Sequence, residues 1–502
     1  MARTDEGVQF PLAGAERSSL AFGQSVFAAA VRHYDPNLAG RIEAAPNWRS
    51  DYVEFANELT LAGIRSGDTA VGIARNGLEA VYEHMSFVRG DQEMSLSDAL
   101  ELDVEPTLEP VQVIGEGELT TTMDVRYGGK ALMGDDIHAQ LDTWVEHGVV
   151  EEGFRDAISA VVGNPEWYDL RDTTFVLLGA GAEMSPVRQL LSWGATVIAV
   201  DLPGSSRWKK LIEDTRTRAG RLIVPAATGR LKESPADNET SGAAGADMIA
   251  RLPEVRRWLR DVMPSGSVLS TLAYAEGATH VRVSVAADAI VSGLQHDGLE
   301  PILAYLATPT DAWAVPSDVV AASQQSWDAR GVVGTVQLPL RITAGMFTPN
   351  YARTWPSERG LQMGVCDAVV PQQGANYLLA KRLQHWRALV ARDEANTVSF
   401  NIMAATRTTS VVRNRLLSAA YAGASRFGVE VFNPDTSRTL AAALLVHDLR
   451  NPKSAAKPSV RLAHPYAQHQ RTANHGGLWR MAYSPRSVLS IAAVLGLFRS
   501  GS

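Results

Sequence analysis

The sequence predicts an α/β protein: a doubly wound parallel sheet, a helical N-terminal domain ahead of it, and a large insertion after its fifth strand. Three observations carry that expectation. From Tyr168 onward, apolar runs of strand length alternate with segments of helical period, the pattern of a parallel sheet covered on both faces. A glycine turn, Gly179-Ala180-Gly181, falls between the first such run and the first such helix. The preceding 165 residues instead carry apolar side chains at three-to-four spacing, which is the period of amphipathic helices.

Within residues 1–165, helices are expected at 18–33, 51–64, 69–88, 135–147 and 151–162. Between them, 110–115 and 119–127 look β-like and end at Gly128-Gly129. No catalytic constellation occurs there, so this domain is read as a cap or an oligomerisation unit. Residues 166–307 form the first part of the core. Strands are expected at 173–178, 196–200, 221–224, 267–274 and 302–307. Helices are expected at 186–193, with Ser185 as N-cap and Pro186 at its first position, and at 246–263 and 278–294. The polar, small-residue segment 232–245 is read as a mobile loop. Residues 308–373, rich in aromatic side chains, are too long for an ordinary connection and are read as a lid. The second part of the core, 374–460, holds a helix at 375–391, a sixth strand at 398–403, and helices at 410–421 and 439–449. Residues 461–502 form a C-terminal segment.

Composition narrows the function. Of 502 residues, 45% are hydrophobic and 20% charged, which excludes a mainly disordered or collagen-like chain. Net charge is −8 and no Lys/Arg run occurs, which argues against nucleic acid and anionic membranes as partners. Cys366 is the only cysteine, so no intrachain disulfide can form and a reducing compartment fits. The first residues lack a signal-like apolar stretch, and the apolar run at 488–498 is too short to span a bilayer. The expectation is a cytoplasmic protein acting on a small molecule, with no stable membrane insertion; the N-terminal domain leaves a homo-oligomer open.

The glycine turn suggests a nucleotide. Gly179 and Gly181 let the chain turn tightly and bring backbone N–H groups toward a diphosphate. Asp201, at the end of the second strand, can accept hydrogen bonds from both ribose hydroxyls of an adenosine. Met184 stands where a G-x-G-x-x-G motif has its third glycine, and Glu183 adds a negative charge. Asp201 favours NAD over NADP, with Arg207 able to offset its charge toward NADP. S-adenosylmethionine uses a similar turn and acid, so a methyltransferase is the alternative, as is a binding module without catalysis.

Tyr377 and Lys381 lie one helical turn apart in the helix after the fifth strand. A neighbouring ammonium favours a phenolate and lowers the tyrosine pKa, preparing it to exchange the proton that accompanies hydride transfer. With the glycine turn, Asp201, the Tyr377/Lys381 helix and the sixth strand in this order, residues 173–449 resemble the short-chain dehydrogenase/reductase family. The resemblance implies a Rossmann fold, an NAD(P) cofactor, and carbonyl–alcohol interconversion on an unidentified small or lipid-like substrate. By position it implies that Thr308 orients the carbonyl, with Thr310 as second choice. It implies that Lys381 also holds the nicotinamide ribose, that Tyr274 lies beside the cofactor after the fourth strand, and that 404–408 closes the nicotinamide side. The chain departs from the family pattern at Leu178, where a threonine is usual, and at Tyr274-Ala-Glu-Gly277, where N-N-A-G is usual. His464, His469 and His475 are too loosely spaced for a metal site, and none is expected. His280, near a helix start, is read as a packing or capping residue, with a site role as the less common alternative.

Overall fold

The computed structural model describes residues 6–231 and 235–499. Residues 232–234, the start of the segment read as a mobile loop, lie outside the described residues. The central sheet has seven strands: β1 Leu108–Ile114, β2 Thr174–Leu178, β3 Thr196–Val200, β4 Arg221–Ala227, β5 Val268–Thr271, β6 Ile302–Ala307 and β7 Val398–Ile402. They lie in the order β7-β6-β5-β2-β3-β4-β1. The strands from β2 to β7 are parallel, with Val197 opposite both Phe175 and Leu222. β1 runs antiparallel to β4, from Ile114 opposite Arg221 to Leu108 opposite Ala227.

The apolar runs form strands because both faces of the sheet are covered. Along β2 and β3 the side chains alternate between two cores. Val176, Leu178, Ile198 and Val200 join one core, with the N-terminal helices Ser19–Arg32, Trp48–Ile64 and Gly67–His84. Phe175, Leu177, Val197 and Ala199 join the other, with helices Asp135–Glu146 and Glu152–Val162. The helices that frame the site are α1 Val187–Ser192, α2 Ser205–Arg216, α3 Ala278–His296, α4 Val332–Ala344, α5 Ala375–Asp393, α6 Thr409–Arg413, α7 Arg415–Gly423, α8 Pro434–Arg450 and α9 Pro485–Arg499. Among the described residues, no helix is long and apolar enough to cross a membrane.

Several local expectations need correction. The stretch expected to be β-like at 110–115 is a strand, Leu108–Ile114, and it forms an edge of the central sheet: Leu108, Val111 and Val113 turn inward while Glu109, Gln112 and Ile114 do not. The stretch at 119–127 is ordered as a strand only over Val125–Tyr127, which pairs with Lys130–Leu132 across Gly128-Gly129. Both glycines have positive φ, +57° and +79°, as a tight hairpin turn requires. Ser185 does not cap α1: that helix begins at Val187 with Pro186 in the cap position, and the buried Ser185 hydroxyl has no partner among the described residues. Part of the polar segment is a helix, Asp237–Ala243, held by Glu239 accepting from the Ala236 N–H at 3.0 Å and by Asp237 pairing with Arg216 at 2.8 Å. The lid region folds around an antiparallel sheet of Ala312–Pro316, Gln362–Asp367 and Trp355–Pro356, with helices Ser317–Asp328 and α4.

Candidate active site

β2 ends at Leu178 and the chain turns at Gly179, where φ is +94°. A Cβ there would lie 2.4 Å from the Ala273 nitrogen, so only glycine lets the loop approach the end of β5 this closely. Gly181 N–H donates to Asp201 Oδ2 at 2.7 Å. Asp201 Oδ1 accepts from Leu202 N–H at 2.8 Å and pairs with Arg207. The Arg207 side chain lies over Gly181 and would clash with a Cβ there. Asp201 is only 9% exposed, and its oxygens are committed to the loop backbone and to Arg207. The expected ribose acceptor here pins the glycine turn.

Beyond that turn, a cavity of about 740 Å³ opens at the C-terminal ends of β2, β5, β6 and β7. Ala182, Glu183 and Met184 carry the loop into its wall; Gly179, Gly181 and Asp201 stay behind it. The cavity gathers four residues singled out in the sequence: Tyr274 after β5, Thr308 after β6, and Tyr377 and Lys381 on α5. Ala404–Thr406 and Thr408, after β7, line it as well.

The hydroxyls of Thr308 and Thr310 lie near the Tyr377 phenol and favour its ionised form, against the effect of burial. These two hydroxyls are 2.8 Å apart, and Thr310 donates to Gln373 Oε1 at 2.8 Å. Lys381 does not reach for the phenol. Its ammonium donates to Gln384 Oε1 at 3.2 Å and to the Leu306 carbonyl at 3.5 Å. Burial therefore decides both pKa values. It pushes Tyr377 up to about 12 and lowers Lys381 to about 8. The expected depression of the tyrosine by the lysine is absent because the ammonium is turned toward neutral acceptors.

His280, on α3, stacks on the Tyr377 ring with centroids 5.6 Å apart and planes at 19°. Its Nδ1 accepts from Ala275 N–H at 3.3 Å, so the neutral ring carries its hydrogen on Nε2, which has no partner among the described residues. Burial, and then the charge of Lys381, hold its pKa down to about 3. The half-exposed Tyr274 ring completes the cluster, 4.9 Å from His280 and 6.4 Å from Tyr377. The Gly277 turn ahead of α3 was the only signal in the sequence for a histidine at this place.

Glu183 ties the loop to the opposite wall. Its carboxylate accepts from Thr409 N–H at 2.8 Å, and its carbonyl accepts from Arg438 at 2.7 Å. The other histidines lie elsewhere. His475 donates from Nε2 to Glu151 at 2.9 Å, while His464 and His469 pack around Tyr466. No group of three or more His, Cys, Asp or Glu is placed to hold a metal among the described residues. No protein-family model matches the chain, and no curated protein matches it.

Proposed function

We propose that this chain is an NAD(P)-dependent oxidoreductase that interconverts a carbonyl and an alcohol. One observation carries the reading: Tyr377, Lys381 and Thr308, from two elements 70 residues apart, line one cleft beside the loop that follows β2. The strand order supports it. Counted from β2, the parallel strands follow the order 3-2-1-4-5-6 of a Rossmann sheet, and the cleft lies outside their carboxyl ends at the switch between β2 and β5. β7 lies parallel to β6, whereas a methyltransferase sheet ends in an antiparallel hairpin. A module that only binds would have no need of Tyr377 in the cleft.

The residues fit a dinucleotide unevenly. The N–H groups of Glu183 and Met184 have no partner among the described residues and stand ready for the diphosphate. Lys381 serves the nicotinamide ribose, and Tyr274 flanks the ring. At the adenosine end the Asp201–Arg207 pair must open first, after which Asp201 suits a ribose diol and Arg207 a 2′-phosphate. When bound, the cofactor supplies or accepts the hydride. Thr308 polarises the substrate carbonyl. Tyr377, protonated at neutral pH, donates the proton to the forming alkoxide.

Equilibrium titration with NADH, NADPH and S-adenosylmethionine tests the reading. A dinucleotide should bind tightest, and Arg207→Ala should shift the balance from NADPH toward NADH. Tighter binding of S-adenosylmethionine would overturn it.

A further inference from the structure

Four helices, two of which line the cleft, present apolar side chains to solvent. On α4, Val332 is 80% exposed and Val336 and Ile342 are each 73% exposed; on α9, Phe498 is 76% exposed. Val412 and Leu416, on α6 and α7, are also exposed. These helices are neighbours. Tyr483, just ahead of α9, donates its hydroxyl to Gln337 of α4 at 3.0 Å, and its ring packs on Phe427, just after α7. α7 and α9 cross at glycines: a Cβ on Gly423 or Gly496 would come within 1.9 Å of a carbonyl of the other helix. Among the described side chains of α4 none is fully buried, so its apolar faces lack a covering layer. A concentration of exposed apolar side chains on helices that pack together marks an interaction site.

The segments that carry these helices hold basic residues and no acids of their own. Residues 329–357, 395–429 and 449–502 contain no Asp or Glu, in a chain whose net charge is −8. Exposed Arg413, Arg415 and Arg426 and half-buried Arg330 and Arg341 border the apolar side chains. The acids at the limits of these segments are Asp328, Glu358, Glu394, Glu430 and Asp448, and Glu183 reaches the start of α6, accepting from Thr409 N–H at 2.8 Å. Asp367 also comes close, paired with Arg486 of α9 at 2.7 Å. The whole-chain average hid this asymmetry, because the acidic residues lie elsewhere.

We propose that this face docks peripherally on an anionic lipid bilayer. Apolar side chains on surface helices, bordered by arginines and without acids among them, match the chemistry of a bilayer interface carrying anionic headgroups. A second copy of the chain is a poorer occupant. A two-fold interface brings the same patch against itself and would set arginine against arginine. The face adjoins the cleft through α6 and α7: Val411, Arg413 and Leu417 line the cavity while their neighbours Val412, Arg415 and Leu416 face solvent.

The test is co-sedimentation of the full chain with vesicles of phosphatidylcholine, alone or with about one-third phosphatidylglycerol. Partition onto the anionic vesicles should exceed that onto neutral ones roughly tenfold and fall as salt rises. Arg341→Glu with Arg415→Glu should abolish the difference, and Val336→Asp with Ile342→Asp should abolish binding. Phe498→Ser, on a separate helix, should weaken it and serves if either pair fails to fold, as judged by melting temperature. Equal partition onto both vesicle types, or no partition, overturns the proposal. So does full binding by folded variants. Size-exclusion chromatography showing a dimer that Val336→Asp with Ile342→Asp converts to monomer would assign the face to a second copy and overturn it as well.

Discussion

Replacing Lys381 with methionine should stabilise the protein while removing its activity. Among the described residues the lysine is held by two neutral acceptors, Gln384 Oε1 and the Leu306 carbonyl, and no carboxylate pairs with it. Its pKa, lowered by burial from 10.5 to about 8, measures what the fold loses by holding the ammonium there. That shift corresponds to a ceiling of about 3 kcal/mol. The side chain also lines the open cleft, where water returns part of this, and methionine forfeits the hydrogen bond to Gln384. A net gain of about 1–2 kcal/mol at pH 7 remains. With an unfolding entropy of about 1 kcal/mol/K for a chain of this length, the melting temperature should rise by about 1–2 °C. The sign with pH follows from the lowered pKa. Between pH 8 and 10.5 the unfolded state binds more protons than the native state, so the wild-type penalty is full below 8 and gone above 10.5. The advantage of Lys381→Met should therefore fade over that window. Thermal denaturation of both proteins at pH 7 and near pH 10 reads it directly. A variant less stable than wild type at pH 7, or one whose advantage persists unchanged at high pH, would refute the reasoning.

Tyr377→Phe should leave the melting temperature nearly unchanged, because the ring still stacks on His280, while turnover on a carbonyl substrate falls by about 10²–10⁴-fold; unchanged turnover in a steady-state assay would exclude Tyr377 as the proton donor. Asp311→Ala should destabilise the fold by about 3–5 kcal/mol in urea titration, since Arg382, 4% exposed, would lose its only carboxylate partner among the described residues. Replacing both residues with apolar side chains of similar volume should recover most of that loss.

The parallel strands were legible because β2, β3 and β6 are buried on both faces and therefore spell continuous apolar runs. β1 was harder. Its Leu108 joins one core and its Val111 and Val113 the other, an irregular pattern broken by Pro110, and nothing local shows that it pairs with β4 more than a hundred residues later. The helix Asp237–Ala243 was hidden because its composition is that of a loop, and a distant partner, Arg216, helps to hold it. At the site, the one-turn spacing of Tyr377 and Lys381 was visible, as was the place of Thr308 after a strand. The direction of the Lys381 ammonium was not, since it depends on the carbonyl of Leu306 and the side chain of Gln384. Nor was the engagement of Asp201 with Gly181 and Arg207, because a carboxylate after a second strand has the same spelling whether it waits for a ribose or binds its own loop.

The outer side of β7 is occupied by irregular chain. Asn474 N–H donates to the Ile402 carbonyl, Gln468 Nε2 donates to the Val398 carbonyl, and Val398 N–H donates to the Ala456 carbonyl. The last strand of the sheet thus spends backbone groups that an edge strand would otherwise offer to any passing chain. Protease nicking or truncation that released residues 456–474 would uncover the backbone edge of Val398–Ile402, open to pairing with foreign strands. The C-terminal segment is in this sense a selvedge: it finishes the cloth so that it does not bind to its neighbours.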